Sequence, residues 1–200
     1  LLKESGIGVS NYGRKLMAKS PDFPVEFLFL RDDDIPEYVQ DAVADLGIVG
    51  QNVLEEKKSK VDLIKKLGFS KCRLSLAIPK STDYNGLKYF DNKKVATSYP
   101  HILKSFFDKN NVKASIHVIS GSVEIAPGIG LADGICDIVS TGSTLFSNGL
   151  KEVETVMKSE AVLVANRQLS DEKKKLLNQL LFRIESVQQA QTNKYILLNA

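Results

Sequence analysis

Two hundred residues allow one domain or two small ones. Apolar residues make up 43% and charged residues 26%, the mix of a folded globular chain rather than a disordered or fibrous one. Lys and Arg number 27 against 24 Asp and Glu, a surplus too small to predict nucleic-acid binding but compatible with one basic pocket for an anion.

The chain opens Leu1-Leu2-Lys3-Glu4-Ser5 without a Met, as though inside an amphipathic helix, and so reads as a fragment or processed product. Val25 to Leu30 is short and β-rich and predicts a strand. Asp34 is placed to cap a helix with Pro36 in its first turn, and Ile35, Val39, Ala42 and Val43 share its apolar face. Leu46 to Gly50 reads as a buried strand. Val61, Ile64 and Leu67 then predict a helix over 59–67 with Gly68 as its stop. Arg73 to Ile78 predicts a strand, and the polar, turn-rich stretch 80–92 a hinge.

Val95 to Thr97 is a short strand, followed by Pro100 and a helix carrying Ile102, Leu103, Phe106 and Phe107. Ala114 to Ile119 predicts a strand, 123–132 a helix, Ile135 to Val139 a strand, and Ala161 to Ala165 another. Ser170 caps a last long helix whose buried stripe is Leu176, Leu177, Leu180, Leu181, Ile184 and Val187. Lys173 to Lys175 read as its solvated face. Strand–helix alternation throughout predicts an α/β fold with mainly parallel sheets. The hinge predicts two lobes and a cleft, with ligand at the carboxyl ends of strands.

The residue inventory narrows the chemistry. Two cysteines, Cys72 and Cys136, with no CxxC, exclude a disulfide scaffold or zinc ribbon and read as core thiols. His101 and His117 are the only histidines and read as surface or strand residues, not ligands. No apolar run nears the ~20 residues of a membrane span. The sharpest local signal is Asp133-Gly134-Ile135-Cys136-Asp137-Ile138-Val139 running into Ser140-Thr141-Gly142-Ser143-Thr144. Backbone N–H groups and hydroxyls around a glycine can wrap a phosphate, and the upstream carboxylates can hold ribose hydroxyls. The loop lacks the GxxxxGK[ST] pattern of a Walker loop. A polar turn after a strand is the plainer alternative.

The pattern extends well beyond that loop. Gly13-Arg14-Lys15-Leu16, LRDDDIPEYVQDAVADLGIVGQNVLEE over 30–56, LGFSKCRLSLAIPK over 67–80, VATSYP over 95–100, SGSVEIAPGIGLADGICDIVSTGSTLFSNGLKEVE over 120–154 and Ala165-Asn166-Arg167 occur in this order. Together they closely resemble the ATP phosphoribosyltransferase family, over essentially the whole chain. The resemblance implies a catalytic core of two α/β lobes like type II periplasmic binding proteins. Lobe I would be 1–80 plus about 155–190, and lobe II, the side binding 5-phosphoribosyl 1-pyrophosphate (PRPP), about 85–154. It implies joining of ATP N1 to C1 of PRPP with release of pyrophosphate and Mg²⁺ as cofactor, the first step of histidine biosynthesis. A cytoplasmic homo-oligomer, dimer or hexamer, with no nucleic-acid or membrane partner follows.

Carried over, Ser140, Thr141, Gly142, Ser143 and Thr144 would bind the PRPP phosphate, and Asp133 and Asp137 its ribose. Glu124 would lie near that sugar or its metal, and Arg14 would meet the pyrophosphate or ATP phosphates. Arg31, Asp34 and Gly50 would line the nucleotide side, and Thr97, Ser98 and Tyr99 the cleft. Relative to the family the opening strand is absent, and Ser143 stands where many members have Thr or Ala. The residues 191–200 resemble the passage into a regulatory domain that binds histidine as inhibitor in long forms, which makes histidine a partner only where that domain is present. The competing reading is a two-lobed solute-binding module without catalysis, since fold alone does not fix function.

Overall fold

The computed structural model describes residues 1–9 and 16–192. Residues 2–6 are turns: Ser5 N–H bonds Leu1 O at 2.9 Å, and Gly6 turns the chain at φ +67°. An antiparallel hairpin follows, β1 (Met17–Lys19) with β2 (Glu26–Leu28).

The first lobe is built on a three-stranded sheet in the order β3 (Leu46–Gly50), β10 (Ala161–Ala165), β4 (Asp62–Lys66). All five residues of β10 are buried, as a central strand covered on both faces requires. On one face Val162 and Val164 pack with Val39 of α1 (Ile35–Gln40) and Val53 of α2 (Gln51–Lys57). On the other, Ala161, Leu163 and Ala165 pack with Ile7, Phe23 and Leu177, Leu180 and Ile184 of α5 (Asp171–Thr192). The Ser170 hydroxyl accepts the Lys173 N–H at 3.3 Å, as its capping position predicts.

The second lobe carries a five-stranded sheet in the order β7 (Ser115–Val118), β6 (Lys94–Thr97), β8 (Gly134–Val139), β5 (Cys72–Pro79), β9 (Leu150–Ser159). Leu103 and Phe107 of α3 (Pro100–Lys109) and Phe90 of the single turn Leu87–Phe90 cover one face. Val123 and Ala126 around the turn Val123–Ile125, with Leu145 of α4 (Ser143–Ser147), cover the other. The chain crosses between the sheets twice, side by side: Leu67 N–H bonds Ala161 O at 2.9 Å, and Ala161 N–H bonds Phe69 O at 3.0 Å.

Several sequence expectations are corrected. The segment predicted as a helix over 59–67 holds the strand β4, because the wholly buried β10 needs a partner on its second edge. Its Lys65 and Lys66 suit an edge strand, which charge protects from further pairing. The helix lies earlier, at α2. The 123–132 helix shrinks to one tight turn, consistent with Pro127 and Gly128. The sheets are not mainly parallel: β10 runs antiparallel to both partners and β5 antiparallel to β8 and β9, leaving only the β6 pairs parallel. Asp34 precedes α1 but its side chain makes no capping bond, and Val43 is 65% exposed. The stretch 80–92 is not the hinge; Phe90 inside it is buried in the second lobe's core. Strand β5, counted with lobe I in the sequence division, pairs entirely within the five-stranded sheet.

Candidate active site

Strand β8 delivers the phosphate-type loop. Gly142 sits at φ +85°, a conformation that favours glycine, and starts the short helix α4. Ser140, Thr141, Ser143 and Thr144 are exposed, and the Thr141 and Ser143 hydroxyls lie 3.0 Å apart. Two fastenings hold this loop, and sequence reasoning missed both. Arg73 on β5 donates to Ser140 O at 3.2 Å while its Nε and Nη2 grip both oxygens of Glu152 at 2.5 Å. Ser75 donates to the same carboxylate at 2.8 Å. The Arg73 hydrogen bond holds Glu152 below the usual carboxylate range despite partial burial. Lys80, at the far end, donates to Phe146 O at 3.0 Å and stands 3.3 Å from the centre of the Phe146 ring.

Asp137 and Asp133 are not brought together. They stand four positions apart along the strand, about 13 Å. Asp133 accepts the Lys94 N–H at 2.8 Å and lies 3.6 Å from Lys93, so it ties the beginnings of β6 and β8 at the opposite end from the loop. Asp137 lies toward the loop, and Glu124, in the turn after β7, acts on it electrostatically. Burial foremost, then the Glu124 charge, push the Asp137 carboxyl up, while the Ile138 N–H at 2.8 Å works the other way.

The first lobe faces this group through α2. Gly50 precedes the helix and Asn52 lies in its first turn. Asn52 donates to the Tyr99 hydroxyl at 3.3 Å. Burial foremost, then the charges of Asp137, Asp33 and Asp32, push the Tyr99 phenol up to about 12. Glu56, one turn on, accepts the N–H groups of His101 and Ile102 at 3.0 Å each and so caps α3 across the lobes. Thr97 does not line the cleft: it is fully buried and its hydroxyl accepts the Tyr99 N–H at 2.9 Å, aiming the turn. Ser98 and Tyr99 do line a cavity of ≈ 350 Å³ together with Asp33, Glu56 and His101. A second cavity of ≈ 400 Å³ opens beside the loop, where Lys66, Lys71, Arg73 and Lys158 outnumber Glu160 on a wall shared with Gln51 and Ser140. Arg31 and Asp34 are exposed in the turn before α1. Arg14 lies outside the described residues.

Burial pushes the Cys136 thiol well up, which removes it as a nucleophile. Among the described residues no group of three or more His, Cys, Asp and Glu could hold a metal by itself. Nor is any helix long and apolar enough to cross a membrane among them. The arrangement offers an exposed loop for a phosphate, a half-buried carboxylate beside it, cations along one wall and a phenol at the same end of the neighbouring strand. Asn52, Glu56, Arg73 and Lys80 escaped the sequence reading because their partners lie 45 or more residues away.

The sequence relatives belong to one family. The sequence pattern of ATP phosphoribosyltransferase matches residues 31–186. An ATP phosphoribosyltransferase of Phocaeicola vulgatus is 62% identical over 200 residues, all of this chain and 71% of that protein. One of Bacteroides thetaiotaomicron is 61% identical, with the same coverage. Among solved structures, the ATP phosphoribosyl transferase (HisG:HisZ) complex from Thermotoga maritima superposes with TM-score 0.75 at 28% identity, over 92% of this chain and 90% of that one. A substrate-binding protein of an amino acid ABC transporter shares the two-lobed fold at TM-score 0.60 and 12% identity, over 92% of this chain and 88% of that one.

Proposed function

The chain belongs to the ATP phosphoribosyltransferase family, the pentosyltransferases that open histidine biosynthesis, and we propose that it works in the cleft just described. The carrying observation is the convergence of Asp137, Glu124, Tyr99 and the Ser140–Thr144 loop at one end of the five-stranded sheet, with α2 of the first lobe against Tyr99.

In this reading the loop takes the PRPP 5-phosphate through backbone N–H groups and the hydroxyls of Thr141 and Ser143. Lone-pair attack by adenine N1 forms the new bond at the ribose C1. The C1–O bond breaks, and its electron pair leaves with pyrophosphate. Positive charge grows on the ribose as that bond opens. An ionised Asp137 in a poorly solvated setting favours that charge more than it would in water. Adenine N1 carries no proton to remove, so no general base is required. Asp133 has no place in this mechanism; its bonds are to the strand starts.

Lys71 and Lys158 suit phosphate groups of either substrate, while Arg73 is engaged by Glu152 and Lys66 lies 3.9 Å from Glu160. The donor set fits Mg²⁺ only as a shared ion: Asp137 and Glu124 would supply one or two carboxylates, and substrate phosphates would supply the remainder. Bound there, Mg²⁺ would offset charge on the leaving pyrophosphate. Arg31, Asp34 and Gly50 stand on the nucleotide side, and Ser98 and Tyr99 line the cleft opposite. A homo-oligomer working in the cytoplasm, where ATP and PRPP are made, completes the reading. The solute-binding alternative rests on fold likeness alone and gains no support from the whole-chain relatives.

Calorimetry with PRPP tests the loop assignment. Thr141→Val and Ser143→Ala each remove one hydroxyl contact, and each is expected to weaken binding by about tenfold or less. Wild-type affinity in the double variant overturns the assignment.

A further inference from the structure

Asn52, Ser159 and Tyr99 form a polar chain across the two lobes. Asn52 opens α2 in the first lobe, Ser159 ends β9, and Tyr99 follows β6 in the second. Asn52 and Ser159 are each only 5% exposed, so their donors and acceptors must be satisfied inside the protein. No buried side-chain polar atom among the described residues lacks a partner.

The partners fix the direction of every bond. The Asn52 backbone N–H donates to Ser159 Oγ at 3.0 Å. Ser159 then gives its own hydrogen to Asn52 Oδ1 at 2.8 Å. With Oδ1 occupied as an acceptor, the amide nitrogen is the end that faces Tyr99, and it donates to the phenol oxygen at 3.3 Å. The Tyr99 oxygen is therefore an acceptor here, and its hydrogen is turned away from Asn52. Gly50 makes the arrangement possible, since a Cβ there would lie 2.5 Å from Asn52 Oδ1. The Ser159 end of the chain lies in the same wall as Ser140 of the loop and Gln51. The Tyr99 end lines the cavity beside Asp33 and Ser98.

We propose that Asn52 is a positioning residue: held by Ser159 and given room by Gly50, it fixes the Tyr99 hydroxyl as a hydrogen-bond donor into the cleft. The group it meets is an acceptor of the bound nucleotide, an oxygen or a ring nitrogen other than the attacking one. This rests on the reading of the cleft as the transferase site. The charges around the phenol agree with it. Burial foremost, then the charges of Asp137, Asp33 and Asp32, reinforce the phenol's ordinary protonated state, against the pull of the Asn52 bond.

A purely structural seam would behave differently, and a mutant cycle separates the two. Asn52→Ala and Tyr99→Phe are each expected to lower kcat/KM for ATP by about tenfold, the loss of one well-placed hydrogen bond. In the Tyr99→Phe background, Asn52→Ala is expected to cost less than a further twofold. Gly50→Ala, which displaces Asn52 without removing it, should repeat this pattern. Multiplying losses in the double variant overturn the proposal. A second readout is independent of turnover. In protein carrying ¹³C at tyrosine Cζ, Asn52→Ala and Gly50→Ala should each move the Tyr99 resonance and leave the other tyrosines in place. An unmoved Tyr99 resonance overturns the positioning role. Wild-type protein that makes no phosphoribosyl-ATP would instead strike the transferase reading of the cleft, with the resonance still deciding the contact.

Discussion

Within the cleft, residues 140–144 hold their hydroxyls out to solvent around a left-handed glycine. Where the lobes meet beside it, the Asn52 amide and the Ser159 hydroxyl are buried and bonded to each other, and the amide also donates to the Tyr99 oxygen. The loop is a local invention: five consecutive residues, shaped by one backbone turn and held from behind by Arg73 and Lys80. The seam is assembled from three distant segments and has no meaning in any one of them. An exposed loop keeps its donors for a ligand. A buried seam spends them on orientation, and leaves one hydroxyl pointing at the work.

The sharpest way to break this contrast is at Asp137, which lies toward the loop and acts on Tyr99. Asp137→Asn is expected to lower turnover by a hundredfold or more, on the order of losing a preorganised charge at the reacting centre. Stability should not fall with it. Burial raises the Asp137 pKa above its unfolded value near ~3.9, so its stabilising contribution is present below that value and lost as pH rises through the folded one. At neutral pH the neutral Asn should therefore match or exceed wild type in Tm, and scans at pH 4 and pH 7 would check the sign.

Gly142→Ala probes the loop's backbone. A Cβ there meets nothing nearer than 3.9 Å, but φ is +85°, so strain rather than crowding sets a cost of about 1 kcal/mol. PRPP affinity should fall while the seam, read by the Tyr99 resonance, stays put. Glu56→Gln probes the contact between the lobes. It weakens the cap on α3 and should lower stability by about 1 kcal/mol, with PRPP affinity unchanged when measured by calorimetry.

The Arg73–Glu152 pair gives a pH effect of the opposite sign. Its Glu152 pKa is depressed, so the stabilisation is present above the ordinary carboxylate range and lost as pH falls through the folded value. Arg73 is about a third exposed, so solvent trims the effect. Acid titration of Glu152→Gln against wild type should show the difference closing at low pH. The smallest effect belongs to Asp108→Ala. Its pair with Lys104 is exposed on both sides, and stability should change by less than ~0.5 kcal/mol.

What the sequence disclosed follows the same division. Strands β3, β5, β6, β8 and β10 and helices α3 and α5 were legible because runs of apolar residues and a capping serine are local signals. The Ser140–Thr144 loop was legible for the same reason, and so was Asp137, a carboxylate inside an apolar strand. Strand β4 was misread as a helix: Val61, Ile64 and Leu67 have helical spacing, and only the open edge of β10 overrules it. Asp133 was grouped with Asp137 by nearness in sequence, whereas a strand carries residues four apart to different ends of a sheet. Asn52 carried no signal at all, because Ser159 is 107 residues away.

The most direct test of the account is a product assay. The protein is mixed with ATP, PRPP and Mg²⁺, with a pyrophosphatase to draw the reaction forward, and the mixture is read by mass. The expected result is N1-(5-phosphoribosyl)-ATP when both substrates are present, and none when PRPP is withheld or Asp137 is replaced by Asn. Product at wild-type levels from Asp137→Asn would contradict the site described here.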